Sequence, residues 1–268
     1  MNLFADYHTH SAFSGDCDVP MELMLKRATE IGLNEIVVTD HVDYDYADPA
    51  FEMIDFDEYR STCLNLQKKY REKIRLLMGV EVGYQPHIQE RIEQLLNKYP
   101  FDFVICSMHM ADKLDFYTGD FFTGKEQKIA YLRYFENVLH GVNQFQDYDV
   151  YGHLDFIVRY GPYANKKLSY HDYTDIIDAV LKSIIQNGHG IEINTSGYRY
   201  NLNQFHPQKD IVKRFKQLGG EIVTVGSDAH TQEDIASHFS LAYTLLKEVG
   251  FNHIATYEQR KVSFIPVP

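Results

Sequence analysis

A barrel of parallel strands alternating with helices is the fold this sequence predicts, and three observations carry the prediction. Seven short, nearly continuous apolar runs alternate with longer amphipathic segments. Glycine and proline fall at the borders of those segments. The histidines and carboxylates gather at one end of the apolar runs, where the strands of a closed barrel share a mouth.

The candidate strands are 3–7, 35–39, 74–80, 101–107, 149–152, 190–194 and 221–226. Several are rich in Val and Ile, as parallel strands buried on both faces should be. The helices between them are expected over 20–31, 57–72, 85–98, 125–146, 171–186 and 207–218, with another over 232–249. Pro20 stands where a first helical turn begins, and Gly32, Gly188 and Gly219 stand where helices should end in the left-handed conformation. Segments 253–257 and 262–265 read as short terminal strands with no assigned place in the sheet.

At 268 residues the chain suits one barrel domain spanning 1–268, with a core large enough to need no covalent staples. Cys17, Cys63 and Cys106 are too few and too scattered for a disulfide framework or a thiolate zinc site, and they fit a reducing compartment. No window is long and apolar enough to span a membrane, and the first residues lack a signal pattern, so the expected location is the cytoplasm. A formal charge of −12 disfavours nucleic acid as a partner. It does not exclude a phosphorylated small molecule, because bound divalent cations would reverse the local field.

The strand ends carry the chemistry. Six of the seven strands run into potential metal ligands: Asp6-Tyr7-His8-Thr9-His10, Thr39-Asp40-His41, Gly79-Val80-Glu81, Ser107-Met108-His109, Gly152-His153-Leu154-Asp155 and Ser227-Asp228-Ala229-His230. On a strand, side chains two apart share a face, so His8 and His10 can chelate one ion, and Asp228 and His230 repeat the spacing. Any one histidine at a strand end is more often a satisfied structural residue; six strands ending this way are not explained so. Imidazole with carboxylate suits Zn, Mn or Fe rather than a thiolate-loving ion. Eight or nine such groups exceed one tetrahedral zinc and point to two or three divalent ions. Glu81 is the best bridging carboxylate, and Asp16 a ninth ligand.

The other histidines read differently. His87, His140, His171 and His238 lie in or beside helices and should be solvated. His189 precedes a strand and belongs to the opposite face. His206 is on the functional side without an assigned role, and His253 has no clear reading. Arg159 and Arg199 follow the fifth and sixth strands, and both should reach the mouth, where a guanidinium fork matches phosphate oxygens. Each alone could equally form a surface ion pair. Ser196 and Tyr117 are further candidates for substrate contact. An acidic loop, 43–49, could grip a cationic part of the substrate, with Asp43 nearest the strand end.

As an ordered set these motifs, from Asp6 to His230, resemble those of the polymerase-and-histidinol-phosphatase (PHP) superfamily. Within it, His10-Ser11-Ala12-Phe13-Ser14-Gly15-Asp16, the Arg159 after His153-Leu154-Asp155, and Asn194-Thr195-Ser196-Gly197 with Arg199 resemble the histidinol-phosphatase branch. The resemblance implies a distorted (β/α)7 barrel and a trinuclear site. His8, His10, Glu81 and Asp228 would hold one ion, Glu81, His109 and His153 a second, and Asp16, His41 and His230 a third. Asp16 stands where many relatives carry histidine. The implied reaction is hydrolysis of L-histidinol phosphate to L-histidinol and phosphate by a metal-activated hydroxide, with Arg159, Arg199, Asp228 and His230 as catalytic groups. Asp6, Asp40 and Asp155, close in sequence to ligand histidines, are expected to orient them. The alternatives are a phosphoesterase of the same superfamily acting on phosphotyrosine or a nucleotide, and a non-catalytic metal-stabilised binding module. An amidohydrolase is disfavoured, because its bridging lysine has no counterpart at the end of the fourth strand.

Overall fold

The structure is a computed structural model that describes residues 4–46, 48, 51 and 54–268. Residue 3 of the first expected strand and residues 47 and 49 of the acidic loop lie outside the described residues. In chain order the strands are β1 (Ala5–Thr9), β2 (Glu35–Val38), β3 (His41–Val42), β4 (Arg75–Gly83), β5 (Phe103–Ser107), β6 (Met110–Ala111), β7 (Leu114–Asp115), β8 (Val150–Tyr151), β9 (Gly190–Asn194), β10 (Val223–Gly226), β11 (His253–Glu258) and β12 (Lys261–Pro266). The helices are α1 (Met21–Glu30), α2 (Phe56–Tyr70), α3 (Gln89–Lys98), α4 (Gln127–Gln144), α5 (Ile157–Tyr160), α6 (Thr174–Gln186), α7 (Ser196–Arg199), α8 (Lys209–Gln217) and α9 (Phe239–Val249).

The parallel strands run in the order β1-β2-β4-β5-β8-β9-β10, with β3 extending the pairing along β4. The seam between β10 and β1 closes at one end only. Just past β10, Asp228 N donates to His8 O at 2.8 Å, and His10 N donates to Ala229 O at 2.9 Å. This is the distorted (β/α)7 barrel expected from the strand pattern, and each of the seven expected strands overlaps an observed one. The seam forms where the ligand residues leave their strands, so closing the barrel also brings the first and last strand ends together.

Two hydrophobic layers hold the barrel. The larger lies between the strands and the surrounding helices, where the apolar faces of α1, α4, α6 and α8 are buried. The smaller fills the interior at the end away from the ligands: Ala5, Tyr7, Val37, Leu77, Phe103, Ile105 and Val150, plugged by Ala255 and Tyr257 of the β11–β12 hairpin. The two terminal strands therefore pair with each other, antiparallel, as a stopper. Tyr257 N donates to Tyr7 Oη at 2.7 Å, and Arg260 Nε donates to Asp149 Oδ2 at 2.7 Å.

Three helix starts differ from expectation, and the first is α6, which begins at Thr174 after a 3₁₀ turn over Tyr170–Tyr173. Residues Pro86–Ile88 make a tight 3₁₀ turn before α3. Residues Gln232–Asp234 do the same before α9, whose start is delayed to Phe239 because Ala236 and His238 take positive φ. Gly188, at φ +81°, ends α6 as its position predicted. Among the described residues, no helix is long and apolar enough to cross a membrane.

The interior plug gives a direct test. Phe103 is fully buried, with the rings of Tyr7 and Tyr257 each 5.0 Å away. Phe103→Ala should cost about 3–5 kcal/mol of unfolding free energy in urea. An unchanged midpoint would mean the hairpin is not packed into the barrel.

Candidate metal centre

The ligand residues reach one mouth because each leaves its strand at the same end. His8 lies on β1 and Glu81 on β4, while His10, His109, His153, Asp228 and His230 lie just past strand ends and His41 opens β3. Glu81 is the centre. It is fully buried, a state rare for glutamate unless it is paired. Its Oε2 lies 3.1 Å from His8 Nε2, 3.0 Å from His41 Nδ1 and 3.6 Å from His10 Nε2. Its Oε1 lies 2.8 Å from His153 Nε2 and 3.4 Å from His109 Nε2. Asp228 Oδ1 adds contacts at 3.8 Å to His8 and 3.5 Å to His10. Asp16 Oδ2 lies 3.1 Å from His230 Nε2 and 3.7 Å from His41 Nε2.

These separations fit metal coordination. Two ligand atoms on a tetrahedral ion with bonds of about 2.1 Å sit about 3.4 Å apart. Five of the facing atoms are also without hydrogen-bonding geometry: His8 Nε2, His10 Nε2, His41 Nδ1, His230 Nε2 and Glu81 Oε2 are buried and unpartnered. Buried polar atoms are normally satisfied, so lone pairs aimed at a common point indicate cations. Four triads have ligand atoms mutually within 4.8 Å: His8, His10, Asp228; His8, Glu81, His153; His41, Glu81, His109; and His10, His41, His230. The residues of the three expected ligand sets meet at this mouth, but the triads divide them differently, and His41 lies nearer Glu81, at 3.0 Å, than Asp16, at 3.7 Å.

The electrostatics agree. Burial would favour the neutral form of both Glu81 and Asp228, yet surrounding imidazoles hold each carboxyl well below its usual range. Burial opposes a charge on His8, but Glu192, Glu81 and Asp228 together outweigh it and hold the ring well above its ordinary value. The same contest raises His41 to about 9, through Glu81 and Asp16, and raises His109 through Asp43 and Glu81. His10, buried beside His230 and His41, is pushed well below. The site is a set of anionic acceptors that must be balanced by protons or by metal ions.

The residues orienting these ligands are not the expected ones. Asp6 accepts from Ser227 N and Oγ and from Ala236 N; Asp40 accepts from Ser11 and Ser14; Asp155 accepts from His206 Nδ1 and Gln208 N. Asp6 and Asp155 brace loops, whereas Asp40 acts on an imidazole only indirectly, by holding the Ser14 hydroxyl that meets His10. The imidazoles are held instead by Glu192 on His8 Nδ1 at 2.7 Å, Asp43 on His109 Nδ1 at 2.8 Å and Ser14 on His10 Nδ1 at 3.0 Å. Sequence reasoning missed Glu192. Its signal was a carboxylate inside an otherwise apolar parallel strand.

A cavity of about 490 Å³ opens over the cluster, lined by Asp16, His41, His109, His153, Asp228 and His230 on one side. Arg159 also lines it. The guanidinium lies over the rings of Tyr200, at 4.1 Å, and Phe156, at 4.6 Å, and donates through Nη2 to Ser196 Oγ at 2.5 Å. Asp43 and Tyr117 line the cavity too, Tyr117 as an exposed ring at the rim. Arg199 and Ser196 do not. Arg199 donates to the carbonyls of Ser227, at 3.2 Å, and Asp228, at 2.5 Å, so its fork is turned to the backbone rather than to the cavity. Ser196 is fully buried behind Arg159. His206 is buried on Asp155, His189 stacks on Tyr148 at 4.1 Å, and His87, His140, His171, His238 and His253 are exposed.

A TIM-like barrel with a cluster of imidazoles and carboxylates able to hold metal at its mouth is the class that fold and site define. The chain belongs to the PHP domain family, whose model matches residues 6–196. It is 33% identical to a histidinol-phosphatase of Lactococcus lactis subsp. lactis, over 96% of this chain and 95% of that one. It is 31% identical to a probable histidinol-phosphatase of Clostridium acetobutylicum, over 97% and 98%. The crystal structure of a Lactococcus lactis histidinol phosphate phosphatase, complexed with Zn, L-histidinol and phosphate, superposes with a TM-score of 0.91. There the identity is 31%, over 97% of this chain and all of that one. A putative histidinol phosphatase from Listeria monocytogenes shares the fold, with a TM-score of 0.74 and 20% identity.

Metal affinity should depend on pH with a definite sign. His8, His41 and His109 hold protons above their ordinary range, His41 up to about 9, and an entering cation must displace them. Apparent affinity for Mn²⁺, measured by competition with a chelating dye, should therefore rise at least about tenfold from pH 6 to pH 8, with proton release on binding. A flat profile with no proton release would contradict this account.

Proposed function

We propose that the chain is a metal-dependent phosphomonoesterase that hydrolyses L-histidinol phosphate to L-histidinol and phosphate. The observation that carries the reading is the convergence, in one cavity, of the imidazole–carboxylate cluster and the Arg159 guanidinium. The substrate is supported by the near full-length similarity to a protein whose structure holds Zn, L-histidinol and phosphate. The whole chain is read as one catalytic unit.

His8, His10, Asp16, His41, Glu81, His109, His153, Asp228 and His230 are the residues that would hold two or three divalent ions, Zn, Mn or Fe. Bound there, the ions supply positive charge for phosphate oxygens and lower the pKa of water toward neutrality. The protein's own part is positional. Arg159 is clamped by two rings and by Ser196, so its planar fork is fixed before substrate enters, which favours the charge that develops on the phosphoryl oxygens. Its Nη2 lies 3.3 Å from Asp228 Oδ2, which links the arginine to the cluster. Hydrolysis moves one proton from the attacking water to the leaving alkoxide. Asp228, held ionised by the surrounding imidazoles and by Arg159, serves as a ligand and an anchor for that arginine rather than as the acid that protonates the alkoxide. His230 donates Nδ1–H to Asp228 O at 3.0 Å, which leaves Nε2 as a lone pair, so it serves as a ligand rather than an acid. Arg199 acts through the Ser227–Asp228 backbone rather than on the phosphate.

The cavity lining also includes acidic and aromatic residues: Asp43, Asp48, Asp115, Tyr46, Phe51 and Tyr160. A cationic, ring-bearing alcohol such as L-histidinol suits it better than an anionic nucleotide. Asp43, already bonded to His109, contributes charge to this wall while orienting its ligand.

Phosphate release from L-histidinol phosphate, with para-nitrophenyl phosphate alongside, tests the assignment. Turnover should favour histidinol phosphate strongly and be lost in Glu81→Gln. Equal slow turnover of both esters would remove the substrate, and no turnover by metal-loaded protein would remove the enzyme. Arg159→Ala should lower kcat/KM by about 10²–10³-fold, and Arg159→Lys should not restore it, because a point charge cannot reproduce the stacked fork.

A further inference from the structure

We infer that Glu192 is a positioning residue that sets both halves of this site at once, the metal-facing atom of His8 and the placement of Arg159. The inference rests on the function proposed above and concerns a residue outside its ligand and phosphate-binding sets.

Glu192 sits in the middle of β9 and is 1% exposed. Three donors converge on its carboxylate. Oε1 accepts from His8 Nδ1 at 2.7 Å, and Oε2 accepts from His153 N and from Asn194 Nδ2, each at 3.0 Å. The first contact puts the His8 proton on Nδ1 and turns the Nε2 lone pair toward Glu81 and Asp228. The last contact starts a buried chain. Asn194 Oδ1 accepts from Ser196 N at 2.9 Å and from Ser196 Oγ at 2.5 Å, and Ser196 Oγ accepts from Arg159 Nη2. His8, Glu192, Asn194, Ser196 and Arg159 thus form one line of hydrogen bonds, each fixing the orientation of the next. Room for it is reserved in the backbone: a methyl group at Gly226 would overlap both Glu192 Oε1 and His8 Cβ.

Only an acceptor on both oxygens satisfies this arrangement. Glutamine has one acceptor oxygen and one NH₂. With its oxygen toward His8, its NH₂ meets the His153 N–H and the Asn194 NH₂. Asn194 can relieve its share only by flipping, which sets its own NH₂ against Ser196 N–H. With the NH₂ toward His8 instead, Nδ1 must accept, and the proton moves to Nε2, the atom that should face the metal. Every accommodation therefore disturbs either the ligand or the arginine arm.

The experiment compares Glu192→Gln and Asn194→Ala with the parent in two readouts besides turnover: zinc retained after dialysis, and affinity for inorganic phosphate of protein held in saturating zinc. Glu192→Gln should retain less zinc and, with zinc restored, bind phosphate at least about tenfold more weakly. Asn194→Ala, which cuts the chain beyond Glu192, should keep its zinc and lose phosphate affinity, with KM rising more than kcat falls. A folded Glu192→Gln, matched to the parent by near-ultraviolet circular dichroism, with parental values in both readouts would overturn the inference. So would parental phosphate affinity in Asn194→Ala, which would reduce Glu192 to a local partner of His8. If Glu192→Gln does not fold, the Asn194→Ala result decides by the same criterion. A parent protein that retains no zinc and binds no phosphate would instead bring down the function proposed above, and this inference with it.

Discussion

A carboxylate with no exposed surface stands at the middle of this molecule, and the arrangement around it follows from the need to compensate it. Glu81 is surrounded by five imidazoles, from His8, His10, His41, His109 and His153. Leaving a carboxylate buried without charge partners would cost several kcal/mol. The rings come from strands far apart in sequence, so only a sheet curled on itself can deliver them together. Burial of Glu81 and closure of the barrel are thus two views of one constraint, and the ions that fit between the ligand atoms would satisfy both.

The same logic divides the barrel into two ends. At the plugged end the interior is apolar, and the β11–β12 hairpin fills it. There Tyr7 Oη donates to Glu35 Oε1 at 2.5 Å and accepts from Tyr257 N. At the open end polar groups replace the apolar ones, and a second ring of residues holds the first. Glycine is required where that ring comes close. A methyl group at Gly83 would collide with the Asp43 carboxylate that holds His109, as one at Gly226 would with Glu192.

What the sequence made legible follows from the range of each interaction. Strand period and strand polarity are local, so the ligands could be read from where apolar runs stop, and His8 with His10 from a spacing of two. Glycine and proline set the ends of α1, α6 and α8 for the same reason. The partners of those ligands are non-local. Glu192 reaches His8 across 184 positions, and Asp43 reaches His109 across 66. Proximity in sequence therefore favoured Asp6 and Asp155, which brace loops instead, and Asp40, which reaches an imidazole only through Ser14. Arg159 and Arg199 looked equivalent because each follows a strand by a few residues. They separate in three dimensions because α5 turns Arg159 into the cavity, whereas Arg199 ends α7 beside the turn after β10.

That turn joins the two arginines after all. Asp228 adopts φ +55°, a left-handed conformation that costs most residues about 1–2 kcal/mol and that aspartate tolerates better than most. Three contacts hold it there: Arg199 and His230 on its carbonyl oxygen, and Arg159 on its carboxylate. Its amide meanwhile closes the barrel seam on His8 O. One residue thus ties the last strand to the first, presents an oxygen to the imidazole–carboxylate cluster and faces Arg159. A change at Arg199, though outside the cavity, loosens the backbone that fixes all three relations. The separation between groups that bind and groups that position is therefore not one of distance from the cavity. It depends on whether a side chain faces the cavity or the backbone that shapes it.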